Sequence, residues 1–577
     1  MAVDLDQSGN QAQINNSNVR DGPFFLETED VRATNTVSAI LINENRDDAD
    51  ALLILDGRVI SGVDGVEITS SDGGEGITLG TTGGIFAAED GISTVAGNNT
   101  LTLAGMISAD GDGVALGGDG LNRVMLSGII SSALDGIEAA GNQNKVTVSG
   151  AIVSGGQNGM VFNGNANTVV VSGSVEGTLD GIRLVGDGQN VKIDGLVGGL
   201  DNGVALTGDG AKITVGTTGV VRGGDNGGLT SAVTFQAGDV ADGVGGASTL
   251  VNHGSLISDT VSEITNTAVA VWDFSGQAQV FTNTGDVQGD VLLQGGDDTM
   301  TNAGIIIGNI SVGTGNDSFT TIGTGAVTGK IDGGAGFDTF RGGDLSDSFF
   351  GGDQADNMRG GAGIDSLFGE AGNDLIIGDT DGANDLYDGG TGIDTVSYAE
   401  AVSAVRANLT LQFALGSEIG VDRLVGVESL TGGSGDDSLT GSTAAGTFSG
   451  GAGNDILSAG SGNDVLLGGD GADTINGGAG FDTITGGTGN DRLTGAFNAD
   501  TFIFANGFGK DIITDFDSSN SAEKIDLSAV ANITDFNDLA LNHLTQVGAN
   551  AVISDGVDTI TLLGVQATSL DSNDFIF

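Results

Sequence analysis

The sequence predicts an all-β protein, a right-handed parallel β-helix followed by a parallel β-roll. Two repeat periods indicate this fold, one of 22 or 23 residues in the first half and one of nine residues in the second half. The composition agrees, because 106 of the 577 residues are glycine and only 1 is proline. Such a chain can turn often and tightly, as short stacked coils require.

The charge balance restricts the partners of the chain. It has 18 Lys and Arg against 77 Asp and Glu, a net charge of -59, while 38% of its residues are hydrophobic. That is enough apolar material for a core. Binding to nucleic acid is excluded because phosphates would be repelled, and no apolar run is long enough for membrane insertion. Divalent cations fit best, and with no cysteine present the chain needs some stabiliser other than disulfides.

The first 56 residues differ from the rest. The opening MAVDLDQSGNQAQINNSNVRDG has neither the basic nor the apolar region of a secretory signal. We expect residues 1–56 to be an anchoring or docking segment, with 37–57 leading into the first coils.

Residues 57–230 carry the longer repeat. Two sets of glycines recur every 22 or 23 residues: Gly105, Gly128, Gly150, Gly173 and Gly195, and Gly91, Gly113, Gly136, Gly159, Gly181 and Gly203. Short alternating runs such as KVTVSGAIV (145–153) lie between them and predict strands. We therefore expect a parallel β-helix here; an antiparallel sandwich is the alternative, but it has no reason to hold a constant period.

The rest of the chain divides into five segments. Residues 231–332 are expected to form an irregular solenoid transition. Two nine-residue arrays follow, at 333–397 and 432–503, separated by a repeat-free β insert at 398–431. Residues 504–577 are expected to be a C-terminal cap and export signal.

The nine-residue unit is G-G-x-G-x-D-x-U-x, where U is a large apolar residue, as in GGAGFDTIT (477–485). This is a known calcium-binding solenoid pattern. Glycines allow tight turns that bring carbonyl oxygens to an ion, the aspartate adds a carboxylate, and two stacked turns supply the six to eight oxygens that calcium takes. The apolar residues of these units should point inward, and two units should make one coil: Phe340, Leu367, Ile376, Leu457, Leu466, Ile475, Ile484 and Leu493.

Counting intact turns predicts roughly a dozen Ca²⁺ ions. The predicted metal-site residues are Asp317, Asp338, Asp347, Asp356, Asp365, Asp374, Asp394, Asp437, Asp455, Asp464, Asp473, Asp482 and Asp491, with the glycines Gly333, Gly336, Gly361, Gly363, Gly451, Gly453, Gly469, Gly471, Gly478, Gly480, Gly487 and Gly489. Weaker sites are expected where Leu345, Gln354 or Gly446 breaks the pattern.

These arrays resemble the RTX proteins of bacterial type I secretion. ADTFIFANGFGKDIITDF (499–516), EKIDLSAV (523–530) and the final DFIF (574–577) are similar to the C-terminal region of serralysin-type proteins. The resemblance implies export from a Gram-negative cell by a type I machinery that reads the C-terminus, and folding in external calcium.

Catalytic signatures are sparse. A serralysin-like protease needs an HExxH zinc motif, but the chain has only His253 and His543, far apart. A β-helix joined to RTX repeats is also similar to alginate epimerases, yet residues 57–230 hold no His or Tyr. Tyr398 is expected to pack at the end of an array, and Arg123 and Lys145, one coil apart, to form a short basic ladder or a solvated face.

We expect a non-enzymatic structural protein of the cell surface, in a surface layer, fibre or matrix, that assembles with calcium as a homo-oligomer or polymer. An adhesin for a glycan or a cell surface is one alternative, with a surface polysaccharide as partner. A polysaccharide-modifying enzyme of the epimerase or lyase type is the other.

Overall fold

The computed structural model describes residues 12–15, 24–26, 31–32, 39–43, 52–69, 73–224, 230–236, 247–258, 268–273 and 275–577. Most of the expected docking segment, 1–56, lies outside the described residues, as do parts of the transition at 231–332. The chain divides into two compact units: residues 1–318 with 325–330, and residues 319–324 with 331–577. Both are parallel β-solenoids, as the sequence predicts.

The first unit has three strands in each coil, and each strand joins one of three parallel sheets. The first sheet contains Ala12–Asn15, Ile40–Asn43, Val66–Ile68, Ile92–Thr94, Val114–Leu116, Ile137–Ala140, Met160–Asn163, Ile182–Val185, Asn202–Thr207, Ser231–Gln236, Val269–Asp273, Asp290–Leu292 and Ile310–Thr314. The second sheet contains Phe24–Leu26, Leu52–Leu55, Gly76–Leu79, Thr100–Leu103, Arg123–Leu126, Lys145–Val148, Thr168–Val171, Asn190–Ile193, Lys212–Val215, Ser248–Asn252, Gln279–Asn283 and Thr299–Asn302. The third sheet contains Val31–Arg32, Arg58–Ser61, Gly84–Ala87, Met106–Ala109, Ile129–Ser132, Ala151–Ser154, Ser174–Gly177, Leu196–Gly199, Val220–Gly223, Ser255–Ser258, Asp286–Gln288, Ile305–Ile307 and Ala326–Val327.

The coil period of the first unit is visible in the strand register. Arg123 pairs with Lys145, and Lys145 with Thr168, so like positions stack on one another. Side chains alternate between core and solvent, and Val146 and Val148 are fully buried. The glycine anchors have a steric cause, since a Cβ added to Gly128 would overlap the carbonyl oxygen of Gly105. The repeat therefore records where neighbouring coils approach most closely.

The second unit has two strands in each regular coil. Its first sheet contains Ile331–Ala335, Ser348–Asp353, Ser366–Ala371, Leu386–Asp388, Val405–Asn408, Phe413–Gly416, Gly420–Val425, Ser438–Thr440, Ile456–Ser461, Thr474–Ala479, Arg492–Phe497, Lys510–Ile513, Leu544–Val547, Asn550–Asp555 and Asp558–Leu562. Its second sheet contains Thr339–Arg341, Asn357–Arg359, Leu375–Ile377, Thr395–Ser397, Ser429–Thr431, Thr447–Ala452, Val465–Gly471, Thr483–Gly489, Thr501–Ala505, Lys524–Ala529 and Phe575–Ile576. The strand Ser318–Thr321 spans the unit boundary, and the short helical segments are Phe536–Asp538, Leu539–His543 and Ala567–Ser569.

The nine-residue period produces this roll. Gly451 pairs with Gly469, two units later in the chain, so two units make one coil as predicted. The eight apolar residues predicted to point inward are all buried, none more than 2% exposed, which confirms that expectation.

Two parts of the second unit are antiparallel. Within the insert, Val405–Asn408, Phe413–Gly416 and Gly420–Val425 form a meander, and its outer strands pair in parallel with coils of the two arrays. Near the C-terminus, Leu544–Val547, Asn550–Asp555 and Asp558–Leu562 form another.

Candidate calcium sites

Two columns of acidic side chains run along the second unit, one before the strands of each sheet. In each regular coil, Oδ1 of the aspartate accepts a hydrogen bond from a backbone N–H one coil earlier. The N–H of Asp437 donates to Asp455 (2.7 Å), and the N–H of Asp455 donates to Asp473 (2.8 Å). One carboxylate oxygen is thus used to join coils, and the other is left for a different partner.

The column before the first sheet contains Asp347, Asp365, Asp385, Asp422, Asp437, Asp455, Asp473, Asp491 and Asp511. The column before the second sheet contains Asp338, Asp356, Asp374, Asp394, Glu428, Gly446, Asp464, Asp482 and Asp500. All predicted aspartates of the second unit lie in these columns. Asp317 lies in the first unit, where its Oδ1 accepts from the N–H of Asp298 (2.6 Å).

The second carboxylate oxygen is buried in most turns of the two columns. Oδ2 has no hydrogen-bond partner in Asp356, Asp365, Asp374, Asp394, Asp455, Asp464, Asp473, Asp482, Asp491 and Asp511. A buried, unpaired carboxylate oxygen is costly. A cation at each turn would remove that cost.

In the first unit, an uncharged amide side chain occupies the position that aspartate has in the second unit. There the column before the second sheet contains amide side chains in successive coils, and we call this stack of hydrogen-bonded side chains the ladder. The N–H of Asn99 donates to Oδ1 of Asn122 (2.9 Å). The amide nitrogen of Asn99 donates to the carbonyl oxygen of Ala96, three residues earlier in its own turn (2.6 Å). An aspartate at this position has an oxygen in place of that donor. Carbonyl and carboxylate oxygens then face one another, which is an arrangement that suits Ca²⁺.

Burial shifts the acidity of these carboxyl groups. It raises the pKa of Asp356 to about 8, with smaller contributions from Asp338 and Asp374. Burial, followed by the charges of Asp491 and Asp455, raises the pKa of Asp473 to about 7. In the absence of a cation, burial therefore disfavours the ionised form of these two carboxyl groups.

The predicted glycines have two roles. All except Gly333 have a positive φ, such as 103° at Gly451 and 121° at Gly453, which favours glycine. Gly333 occupies position one of its unit, where a Cβ would collide with Oδ2 of Asp338. The same overlap recurs at Gly450 with Asp455, so the carboxylate folds back over the first glycine.

Each ion would draw on several turns. Among the described residues, no three His, Cys, Asp or Glu side chains form a group able to hold a metal ion. The backbone carbonyls of the glycine-rich turns can supply further oxygens beside each carboxylate.

The irregular units differ from one another. In the Leu345 unit, Oδ2 of Asp347 accepts from the N–H of Gly343 (3.0 Å), so the turn satisfies its own carboxylate. In the Gln354 unit the backbone keeps a positive φ of 79° and Oδ2 of Asp356 stays unpaired. Gly446 supplies only an N–H, to Asp464.

Two tyrosine hydroxyls contact column carboxylates where the first array meets the insert. The hydroxyl of Tyr387 donates to Oδ2 of Asp385 (3.0 Å), and that of Tyr398 to Oδ2 of Asp422 (2.9 Å). Both rings are fully buried. These two carboxylates therefore have a protein donor on the oxygen that is unpaired elsewhere.

Several ladder members were not predicted. Asp385, Asp500 and Asp511 each precede a residue and then a large apolar one, and GFGKDII (507–513) repeats the G-x-G-x-D-x-U spacing, so this signal could have found them. Asp422 and Glu428 have the shorter spacing G-x-D/E-x-U (420–424 and 426–430) but lie in the insert, outside the predicted arrays. The stacking of coils shows that they continue the columns.

The histidines and basic residues considered as candidate catalytic or binding groups contact other residues of the solenoid. Nδ1 of His253 lies 2.6 Å from Oγ1 of Thr284, and Nδ1 of His543 lies 2.7 Å from the carbonyl oxygen of Ser554. Arg123 and Lys145 are register neighbours on the outer face of the second sheet. No helix in the described residues is long and apolar enough to span a membrane.

Comparison with known families identifies the repeats. The RTX calcium-binding nonapeptide repeat (four copies) matches residues 330–357, 350–382, 360–396, 425–445, 431–466 and 467–502. No curated protein matches the chain. Among solved structures, the crystal structure of extracellular lipase LipA from Serratia marcescens is similar at 18% identity and a TM-score of 0.17, over 45% of this chain and 45% of that chain. The present chain thus covers less than half of that lipase. The chain contains RTX calcium-binding nonapeptide repeats within a parallel β-solenoid, and such repeats indicate a secreted Ca²⁺-binding protein.

Proposed function

We propose that this protein is a structural component of a bacterial cell surface, which folds in calcium and self-assembles into a surface layer, fibre or matrix. Export from a Gram-negative cell by a type I machinery, roughly a dozen bound ions and the lack of an enzymatic role are parts of this proposal.

An apolar row on the third sheet of the first unit carries the proposal. Met106 and Ile129 are register neighbours, and Ile129 is followed by Ala151. Met106 is 44% exposed, Ile129 50% and Val153, on the same face, 44%. Contiguous apolar surface on an otherwise very acidic protein indicates a contact surface.

A second copy of the same chain fits this row. Coils in a parallel solenoid repeat at about 4.8 Å, so another copy presents apolar side chains at the same interval. Calcium would also screen or bridge the acidic surfaces, which otherwise repel at a net charge of -59.

The test is assembly of the full chain in millimolar calcium, followed by analytical ultracentrifugation and electron microscopy. The double variant Met106→Glu/Ile129→Glu should shift the protein toward monomers and abolish ordered assemblies. Met125→Glu is the matched control, because Met125 is 48% exposed on the second sheet. Wild-type protein that stays monomeric at high concentration, or a control that disrupts assembly equally, would contradict the proposal.

An adhesin is a second candidate, favoured by one feature. On the second sheet of the first unit, Arg123 and Lys145 stack in register, and Lys192 and Lys212 lie on the same outward face. A basic strip on an acidic protein could bind an anionic glycan. Glycan-array binding by the full chain that is lost in Arg123→Ala/Lys145→Ala would favour this candidate, whereas turnover of alginate or pectin would favour an enzyme.

A further inference from the structure

The ladder before the second sheet changes character inside the first unit. Its members in successive coils are Glu75, Asn99, Asn122, Asn144, Asn167, Gln189, Ala211, Ser248, Gln279, Asp298 and Asp317. Gln279 is the last amide and Asp298 the first aspartate. This change precedes residue 330, where the matched nonapeptide repeats begin.

Three buried oxygens without partners occur at this change. They are Oδ2 of Asp273, Oε1 of Gln279 and Oδ2 of Asp298. The three residues are 0%, 4% and 1% exposed. Gln279 is uncharged, so one of the three oxygens belongs to an amide and the other two belong to carboxylates.

Hydrogen bonds link these residues across two successive coils. The backbone N–H of Gln279 donates to Oδ1 of Asp298 (2.6 Å). The amide nitrogen of Gln279 donates to Oγ of Ser275 (3.0 Å), and the N–H of Ser275 donates to Oδ1 of Asp273 (2.8 Å). These hydrogen bonds use Oδ1 of Asp273, Oδ1 of Asp298 and the amide nitrogen of Gln279. They leave Oδ2 of both aspartates and Oε1 of Gln279 buried and without a hydrogen-bond partner.

We propose that Asp273, Gln279 and Asp298 bind a calcium ion in the first unit, at a site distinct from the nonapeptide arrays. The donor set is two carboxylates and one amide oxygen, to which carbonyls of the turn can add. It departs from the nonapeptide pattern, because Leu293 stands where position one of that pattern is glycine. Calcium dependence then begins within the first solenoid, about where its amide ladder ends.

This site has a local reporter. Trp272 is the only tryptophan of the chain, adjoins Asp273 and is 4% exposed. Tb³⁺ takes oxygen ligands like those of Ca²⁺ and emits when a nearby indole is excited. Tryptophan-sensitised Tb³⁺ emission from the full-length protein therefore reports on this turn.

We expect saturable sensitised emission that Ca²⁺ competes away. Asp273→Asn and Asp298→Asn should each weaken Tb³⁺ binding roughly tenfold or more, since each removes a charged ligand. Asp298→Asn should fold, because asparagine is the residue that the same ladder uses elsewhere. Asp273→Asn should fold because asparagine has nearly the same size and keeps the Oδ1 acceptor that the N–H of Ser275 uses. Asp286→Asn, an exposed carboxylate of the neighbouring third-sheet strand, is the control and should leave the emission unchanged.

Absence of sensitised emission in the wild type, or emission that survives in both variants, would overturn the proposal and leave water or protons as the partners of these oxygens. The readout does not depend on assembly. Failure of this site and failure of the proposed structural role are therefore separate outcomes.

Discussion

Removing calcium at neutral pH should unfold the arrays of the second unit while the amide-laddered coils of the first unit stay folded. The cause is the buried carboxylate of each turn. With a chelator present, each aspartate must either ionise in a buried site or hold a proton that it would release in the unfolded chain.

The cost can be taken from the structure. Burial raises the pKa of Asp473 to about 7, and that of Asp356 and Asp511 to about 8, against an ordinary value near 3.9. One pKa unit corresponds to about 1.4 kcal/mol, so each of these groups costs the folded state about 4 kcal/mol at pH 7. Three or four such turns match the whole stability of a typical domain, about 5–15 kcal/mol. Calcium binding reverses that balance.

Hydrogen exchange read by mass spectrometry on the full chain can separate the two units. In chelator, amides of 450–494 should lose protection by many orders of magnitude, while those of 99–193, whose ladder is Asn99, Asn122, Asn144 and Asn167, should keep it. Circular dichroism should show a partial loss of β structure that added calcium restores. Full protection of 450–494 in chelator at neutral pH would refute the reasoning.

Four further predictions follow from the same geometry. The pKa values of Asp455, Asp473 and Asp511 in the acidic columns are raised to about 6, 7 and 8. The calcium-free chain should therefore gain stability as pH falls from 8 toward 4, which circular dichroism in chelator would show; stability that rises with pH would contradict this. Asp473→Asn should lower the calcium count by isothermal titration yet raise stability in chelator, and exposed Asp470→Asn should do neither. Tyr398→Phe should cost about 1–3 kcal/mol in thermal unfolding; a loss that vanishes in saturating calcium would mean that the cation can replace the phenol. Gly128→Ala should destabilise the first unit by about 1–3 kcal/mol or more, whereas Gly198→Ala, which has open space at its Cβ, should cost much less.

Much of the fold follows from period and residue type. The glycine anchors mark close approaches between coils, and position eight of the nonapeptide marks the core, so both were visible in the sequence. The meander at 405–425 was not, because its strands carry no repeat and are placed by pairing with coils on either side. The three-sheet section of the first unit also depends on how coils stack, which the period alone leaves open.

The candidate sites were predicted as far as the aspartate follows the nonapeptide spacing. Asp455 and Asp473 are examples, and the spacing also fixes which coil each one joins. It says nothing about the partner of the second carboxylate oxygen. That partner is a phenol at Asp422 and a backbone N–H at Asp347, and both depend on side chains or backbone that only the folded turn brings near.

The ladder position shows how one backbone arrangement can serve with or without a metal. An asparagine joins coils through Oδ1 and satisfies its own turn through Nδ2, so the coil is complete as folded. An aspartate joins coils in the same way but brings an oxygen to a turn that already presents carbonyls, so the coil is complete only with a cation, a proton or a hydroxyl donor. Replacing one amide nitrogen by oxygen therefore converts a constitutive coil into a calcium-dependent one, without any change in the strands. On this reasoning the residue type along the ladder, rather than the glycine pattern, determines where calcium control of folding begins.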